Sequence, residues 1–95
     1  MVNEGTLQEL LEFFKALADQ NRLRVVGLLA RESMTGEQIA ALLGVSTSTA
    51  SHHLSYLVHA GLVAAEPHGY YTRYTLKMDN INNLAGKLLN RDELP

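Results

Sequence analysis

The 95-residue sequence has no cysteine, and it has fewer Lys and Arg residues (8) than Asp and Glu residues (10). Without cysteine the chain can form neither a disulfide nor a thiolate metal site, and switching by thiol oxidation is excluded. The formal net charge of −2 argues against a general polycation and against a protein held on acidic membranes by charge. DNA binding is not excluded, because the distribution of charge matters more than its sum.

Long apolar runs are also missing, since none approaches the roughly 18 to 20 residues that cross a membrane. The N-terminus MVNEGTLQEL lacks the features of a signal peptide, and we expect a cytoplasmic protein with no membrane partner. The length fits one domain, with an ordinary globular content of 46% apolar and 19% charged residues. No Gly-rich phosphate loop, nucleophile elbow or paired-carboxylate signature occurs, so we expect neither an enzyme nor a bound cofactor.

Apolar residues spaced three and four apart predict a helix over residues 6–18, and a second helix follows over 21–31. The same spacing predicts a last helix over 79–91. Between the second and last helices, alternating aromatic and threonine residues over 70–76 predict a strand, which forms a β-hairpin with segment 62–66. The predicted fold is mainly α with this small β-hairpin, in the order α-α-α-α-β-β-α.

Two further helices in the middle of the chain form a predicted helix-turn-helix. Thr35 and Gln38 form a capping box at the start of the third helix, and Gly44 ends that helix in the left-handed conformation. Ser46 then caps a fourth helix that runs to about Ala60. A tight turn between two such helices is typical of a helix-turn-helix, and the hairpin after it predicts a winged helix-turn-helix.

The outer face of the fourth helix is rich in hydroxyl groups and carries no acidic residue. Short Ser and Thr side chains and histidine can lie against phosphates and base edges without steric or like-charge conflict. Acidic residues lie mostly in the first three helices, which we expect to place them away from this face. The predicted DNA-contacting residues are Ser46, Thr47, Ser48, Thr49, Ser51, His52, Tyr56 and Arg73.

Within this set we expect Ser48, Ser51 and His52 to read bases, and Thr47, Tyr56 and Arg73 to contact phosphate. His53 lies about 100° further round the helix and is predicted to be a partly buried structural residue instead. In the second helix, Arg22 and Arg24 either touch phosphate or pair with acidic residues at the surface, and the sequence leaves both roles open.

Residues 17–26 resemble the second-helix signature of the ArsR/SmtB-type winged-helix repressors, and residues 46–54 resemble their recognition helix. Residues 60–63, with Gly69 and Tyr74, resemble the wing of that family. The resemblance implies a sequence-specific transcriptional regulator of double-stranded DNA, a homodimeric repressor that binds an inverted-repeat operator. It also implies a dimer interface built from the first and last helices, for which we predict Leu7, Leu10, Leu11, Phe14, Ile81, Leu84 and Leu88.

The sequence departs from the resembled family at its sensor positions. Metalloid-sensing members place cysteines in the third helix, and residues 35–43 contain none. Zinc-sensing members carry Asp-x-His and a later His-x-x-His/Glu pair on the last helix. Here Asp79 is followed by Ile81, and Asp92 and Pro95 stand where the second pair would lie. We therefore predict no metal site, and the effector stays unknown.

Two alternatives to a complete DNA-binding repressor remain open. A winged helix can serve as a protein-interaction module, which would tolerate acidic residues on the outer face of the fourth helix; none occurs between Val45 and Gly61. The chain can also be the N-terminal DNA-binding piece of a longer regulator. Our main hypothesis takes residues 1–95 as one winged helix-turn-helix domain whose two terminal helices form the dimer interface.

Overall fold

The computed structural model describes residues 4–89. The helices and strands of this part of the chain form a winged helix-turn-helix. The predicted order is confirmed, with one short strand added before the third helix. The sequence does not predict that strand because two residues are too few to show an alternating pattern. The elements are α1 (Glu4–Leu17), α2 (Gln20–Leu29), β1 (Met34–Thr35), α3 (Gly36–Leu43), α4 (Thr47–His59), β2 (Val63–His68), β3 (Tyr71–Leu76) and α5 (Met78–Leu89).

The three strands form an antiparallel sheet in the order β1-β3-β2. β2 and β3 form the wing, which is longer than predicted because β2 includes Pro67 and His68. Pro67 fits there because β2 is an edge strand, where a missing N–H group need not cost a ladder hydrogen bond. On the other side of β3, Met34 of β1 lies opposite Tyr74, so the sheet ties the wing to the segment that precedes α3.

The ends of α3 and α4 are set by the predicted capping residues. Gln38 N donates to Thr35 Oγ1 (3.2 Å), and Thr35 N donates to Gln38 Oε1 (2.9 Å), which completes the capping box of α3. Gly44 ends α3 with a φ of 70°, and Ser46 Oγ then accepts a hydrogen bond from Thr49 N (3.0 Å) at the start of α4. The predicted helix-turn-helix is therefore confirmed, together with the residues that cap the start of α3, the end of α3 and the start of α4.

The hydrophobic core lies beneath the helix-turn-helix and fixes which side of α4 faces inward. Ala50, Leu54 and Leu57 of α4 are completely buried, in one cluster with Val25 of α2 and Ile39 of α3. Because these α4 residues share one side of the helix, its opposite side is left to solvent. Within residues 4–89, no helix combines the length and apolar character that a membrane crossing requires.

Gly27, in the interior of α2, is a glycine that the fold does not require. Its φ is not positive, and a Cβ built there would pack against no atom within 4 Å. Because glycine is a poor helix former, we expect Gly27→Ala to raise the free energy of unfolding by about 0.5–1 kcal/mol. Urea unfolding at a fixed protein concentration measures this change.

The matched control is Gly44→Ala at the end of α3. A Cβ at Gly44 also meets open space, but the backbone there is left-handed, with φ of +70°. We expect this substitution to lower the free energy of unfolding by about 1–2 kcal/mol, because an L side chain is strained in that region. If both substitutions changed the free energy of unfolding in the same direction, the conclusion that the fold does not require Gly27 would be contradicted.

Candidate nucleic-acid interface

Four of the predicted DNA-contacting residues are exposed on α4 and form no side-chain hydrogen bond within residues 4–89. They are Thr47, Ser48, Ser51 and His52. The only ring neighbour of His52 in that part of the chain is His53, with centroids 6.3 Å apart. The hydroxyl groups and the imidazole therefore keep their donors and acceptors for an external partner.

Ser46 and Thr49, which belong to the same predicted set, are bonded to each other. Ser46 Oγ donates to Thr49 Oγ1 (2.9 Å) while it accepts a hydrogen bond from Thr49 N. Both residues are exposed, and their hydroxyl groups hold the first turn of α4 together. Their role in the structure is capping, and direct DNA contacts from them stay a prediction.

Arg22 fixes the position of α4 relative to α1. Its Nε donates to Ala16 O (2.8 Å) and its Nη2 to Lys15 O (3.2 Å), at the C-terminal end of α1. Its guanidinium carbon lies 4.0 Å from the centre of the Tyr56 ring, and only 13% of the side chain is exposed. Arg22 is thus engaged inside the chain, and half-buried Tyr56, predicted to contact phosphate, packs against it through its ring.

Asp19 caps α2 and lies beside His53 of α4. Its Oδ1 accepts a hydrogen bond from Arg22 N (2.9 Å), which makes Asp19 the N-cap. This hydrogen bond lowers the pKa of the Asp19 carboxyl group below its ordinary value, opposed in part by burial and assisted by the charges of Arg22 and His53. His53 is partly buried as predicted; its Nδ1 lies 3.9 Å from Asp19 Oδ1 and has no hydrogen-bond partner among the described residues.

The lowered pKa of Asp19 predicts a pH-dependent contribution to stability. Because folding favours the carboxylate, Asp19 stabilises the chain above the unfolded-state pKa, and this contribution is lost as the pH falls through the lowered pKa. Asp19→Asn keeps a capping side chain but removes the charge. We expect the variant to be less stable than the natural chain at about pH 7 and the difference to shrink towards about pH 3. Urea unfolding across this range measures it, and a constant difference would contradict the prediction.

Arg73, the predicted cation of the wing, is tied to the loop before β1. Its Nη1 donates to Ser33 O (3.1 Å) and to Ser33 Oγ (3.2 Å), and the side chain is half-buried. This pair of hydrogen bonds braces the sheet between β1 and β3. The predicted phosphate contact would have to use the other guanidinium nitrogens of Arg73.

The tip of the wing carries aromatic rather than basic side chains. Tyr70 is fully exposed there, and Tyr71 stacks on His68 with ring centroids 5.5 Å apart and planes at 12°. Tyr74, at the base, instead packs against the core. Of the tyrosines in 70–76, the wing therefore presents Tyr70 and Tyr71 to an external partner.

A groove of about 210 Å³ lies between the wing and the N-terminal half of α4. Thr47 and Ser51 line it from α4, and Glu37, at the start of α3, lines it as well. The expectation that acidic residues of the first three helices lie away from the DNA face is therefore wrong for Glu37. The N-terminal turn of α3 lies at this groove because β1, which directly precedes α3, pairs with β3 of the wing.

α1 exposes a continuous apolar stripe, consisting of Leu7 (41% exposed), Leu11 (46%) and Phe14 (45%). These residues are four and three positions apart, so they share one face of the helix. α1 also packs against α5, where Lys87 Nζ lies 3.8 Å from Glu9 Oε2. The described chain leaves this stripe uncovered.

The other predicted interface residues divide between surface and core. Leu88 of α5 is exposed and Ile81 is half-buried, whereas Leu10 and Leu84 are buried in the protomer's own core at 4% and 2%. Substitutions at Leu10 or Leu84 would therefore disturb folding before they report on association. Residues 90 and 91 of the predicted last helix lie outside the described residues.

The sensor ligands of the resembled zinc-sensing proteins are incomplete in the described chain. Asp79 is exposed in the first turn of α5, with half-buried Ile81 two positions on, while Asp92 and Pro95 lie outside residues 4–89. Within that range no group of three or more His, Asp or Glu side chains is placed to hold a metal ion. A tetrahedral site needs three or four converging ligands, and within residues 4–89 the first turn of α5 supplies only Asp79.

The model of the arsR family of bacterial regulatory proteins matches residues 19–65, which run from the N-cap of α2 into β2. The ArsR-like transcriptional regulator from Rhodococcus sp. RHA1 has a similar structure, with a TM-score of 0.81 at 32% identity. The match covers 88% of this chain and 79% of that one. This chain belongs to the arsR family. The predicted family and the predicted winged helix-turn-helix are thereby confirmed.

Two further arsR-type comparisons extend the likeness over most of the chain. The transcriptional repressor SmtB homolog of Synechocystis sp. is 39% identical over 77 residues, which are 81% of this chain and 58% of that protein. A homodimeric winged helix-turn-helix DNA-binding domain from Mycobacterium bovis is 33% identical with a TM-score of 0.75, covering 92% of this chain and 82% of that domain. The chain thus spans about three-fifths of the length of the first curated relatives, which are named as transcriptional regulators.

Proposed function

We propose that the protein is a sequence-specific double-stranded DNA-binding transcriptional regulator, a homodimeric repressor that acts on DNA in the cytoplasm and is not an enzyme. The outer face of α4 carries the proposal, because it exposes Thr47, Ser48, Ser51 and His52 without internal hydrogen bonds. In helix-turn-helix proteins, residues near the N-terminus of the second helix contact base edges in the major groove. The DNA-binding domain from Mycobacterium bovis, with the same fold, supports this assignment.

The homodimer would be formed by α1 and α5, through the exposed α1 stripe of Leu7, Leu11 and Phe14. The homodimeric state named for the Mycobacterium bovis domain supports this part of the proposal. A two-fold dimer presents two copies of α4, which read an inverted repeat with half-site centres about 34 Å apart. Because Arg22 and Arg73 are engaged inside the chain, few cations are left for phosphates, and we expect a modest salt slope of about −4 to −7.

Selection from a random duplex DNA pool, followed by fluorescence anisotropy, tests the proposed function. We expect enrichment of an inverted repeat and binding at least about a thousandfold tighter than to a scrambled duplex at the same salt concentration. Equal affinity for selected and scrambled duplexes would contradict sequence-specific regulation. That result would favour the alternative of a winged-helix protein-interaction module.

We further propose that zinc, cobalt and nickel do not regulate DNA binding, because Asp79 and Ile81 do not supply the ligand pair of zinc-sensing relatives. Calorimetry with each metal, beside operator binding with and without it, measures this directly. We expect operator affinity to change by less than about twofold on metal addition. Stoichiometric submicromolar binding, coupled to a loss of operator affinity of about tenfold or more, would contradict the prediction.

A further inference from the structure

A groove of about 400 Å³ between α2 and α3 lies apart from both proposed interfaces. Within the described chain, no residue of α1, α4, the wing or α5 lines it, so neither the DNA face nor the α1 stripe contributes to it. We call it the Arg24–Arg31 groove, and its lining residues are Arg24, Gly27, Leu28, Arg31, Leu42 and Leu43.

The two arginines that line this groove are free cations. Arg24 and Arg31 are exposed, and neither forms an ion pair or a side-chain hydrogen bond within residues 4–89. Arg22 and Arg73, in contrast, donate to backbone oxygens. The Arg24–Arg31 groove is lined by no acidic residue of the described chain, so its charge is uncompensated there.

The floor of the groove is apolar, and part of it is left open to water. Leu43 is buried and Leu28 half-buried, but Leu42 is 55% exposed beside the two arginines. An exposed leucine next to free cations is complementary to a peptide segment that carries both apolar and acidic side chains.

Gly27 lies at the same groove and gives a second, independent observation. Glycine is among the least favourable residues in a helix interior, and neither a positive φ nor a packing contact explains it at this position. Its missing side chain leaves the backbone of α2 open, which allows the close approach of another chain.

We propose that the Arg24–Arg31 groove docks an acidic amphipathic helix of a partner protein. Apolar residues of that helix would cover Leu42 and the open backbone at Gly27, and carboxylates two turns apart would pair with Arg24 and Arg31. Double-stranded DNA accounts for less of this groove, because phosphates would engage the two arginines but leave the apolar floor without a partner. This docking site does not depend on the proposed operator binding.

The test uses the full 95-residue chain and two synthetic helical peptides. One peptide places glutamates seven residues apart around a pair of leucines, and the other has lysines in place of the glutamates. By fluorescence anisotropy, the natural chain should bind the glutamate peptide at least about tenfold more tightly than the lysine peptide. In a chain carrying both Arg24→Glu and Arg31→Glu, this preference should reverse.

Gly27 supplies a matched pair of variants for the groove itself. Gly27→Leu fills the space above α2 and should weaken binding of the glutamate peptide at least about tenfold, whereas the small side chain of Gly27→Ala should weaken it less than about threefold. Both variants are expected to fold, because the position faces open space. If the two variants bound the glutamate peptide equally, the proposal that the partner helix covers the backbone at Gly27 would be wrong.

Two further results would overturn the proposal as a whole. The first is equal affinity of the natural chain for the glutamate and lysine peptides. The second is found with DNA: if Arg24→Ala with Arg31→Ala weakens operator and scrambled duplex alike and reduces the salt slope, these arginines contact phosphate. Unchanged DNA affinity in that variant, together with a lost peptide preference, supports a protein docking site and leaves the operator-binding proposal untouched.

Discussion

Replacing Ser48 and His52 together with alanine is expected to weaken operator binding by about thirty- to a thousandfold, with little effect on scrambled DNA. Both side chains are exposed on α4 without internal hydrogen bonds, and their four-residue spacing puts them on one face. A dimer of the double variant loses four such groups. At about 0.5–1 kcal/mol each, the loss sums to about 2–4 kcal/mol of specific binding. Fluorescence anisotropy with operator and scrambled duplexes at one salt concentration measures both affinities.

The matched control changes the same two residue types two turns further along α4. Ser55 and His59 are also exposed, and each lies seven residues after its counterpart, about 10.5 Å along the helix axis. Because bases are read near the N-terminus of a recognition helix, Ser55→Ala with His59→Ala should weaken operator binding less than about threefold. If the control weakens binding as much as the first pair, or if scrambled DNA loses equally, the base-reading assignment is wrong.

The helix-turn-helix could be predicted from the sequence because its boundaries are local. A capping box needs only Thr35 and Gln38, and the left-handed end of α3 needs only Gly44, so nearby residues decide these features whatever the rest of the fold does. β1 could not be predicted, because its two residues become a strand only by pairing with β3, about forty positions later in the chain.

The partners of individual side chains were harder to predict than the fold. From the sequence pattern, Arg22 and Arg73 are expected on exposed elements. In the structure, each donates to backbone oxygens that only the tertiary fold brings near. Similarly, helical spacing marks Leu10 and Leu11 as apolar, but does not say that Leu10 enters the core while Leu11 stays 46% exposed. The hydroxyl-rich face of α4 could be predicted because it depends on residue type and helix period alone.

The exposure of Leu11 makes it the residue of choice for a test of the dimer. Leu11→Glu is expected to raise the dimer dissociation constant by at least about tenfold, because each protomer loses the burial of the exposed 46% of Leu11, worth about half of the roughly 1.5–3 kcal/mol of a fully buried leucine. Two carboxylates would also have to enter an apolar interface, which adds to the cost. Sedimentation equilibrium should show the natural chain at twice its mass of 10.5 kDa and the variant as a folded monomer at micromolar concentration.

Leu23→Glu is the control for this experiment, because Leu23 lies on α2 and is even more exposed, at 56%. The same chemical change outside α1 and α5 should leave the dimer intact. Circular dichroism separates dissociation from unfolding, since Leu11 contributes little to the protomer's own core. In the Leu11 variant, operator affinity should decrease together with the dimer fraction. A monomer binds one half-site only and lacks the gain in affinity that comes from joining two DNA-binding domains. A natural chain that sediments as a monomer, or equal dissociation of the Leu11 and Leu23 variants, would show that the α1 stripe does not hold the dimer.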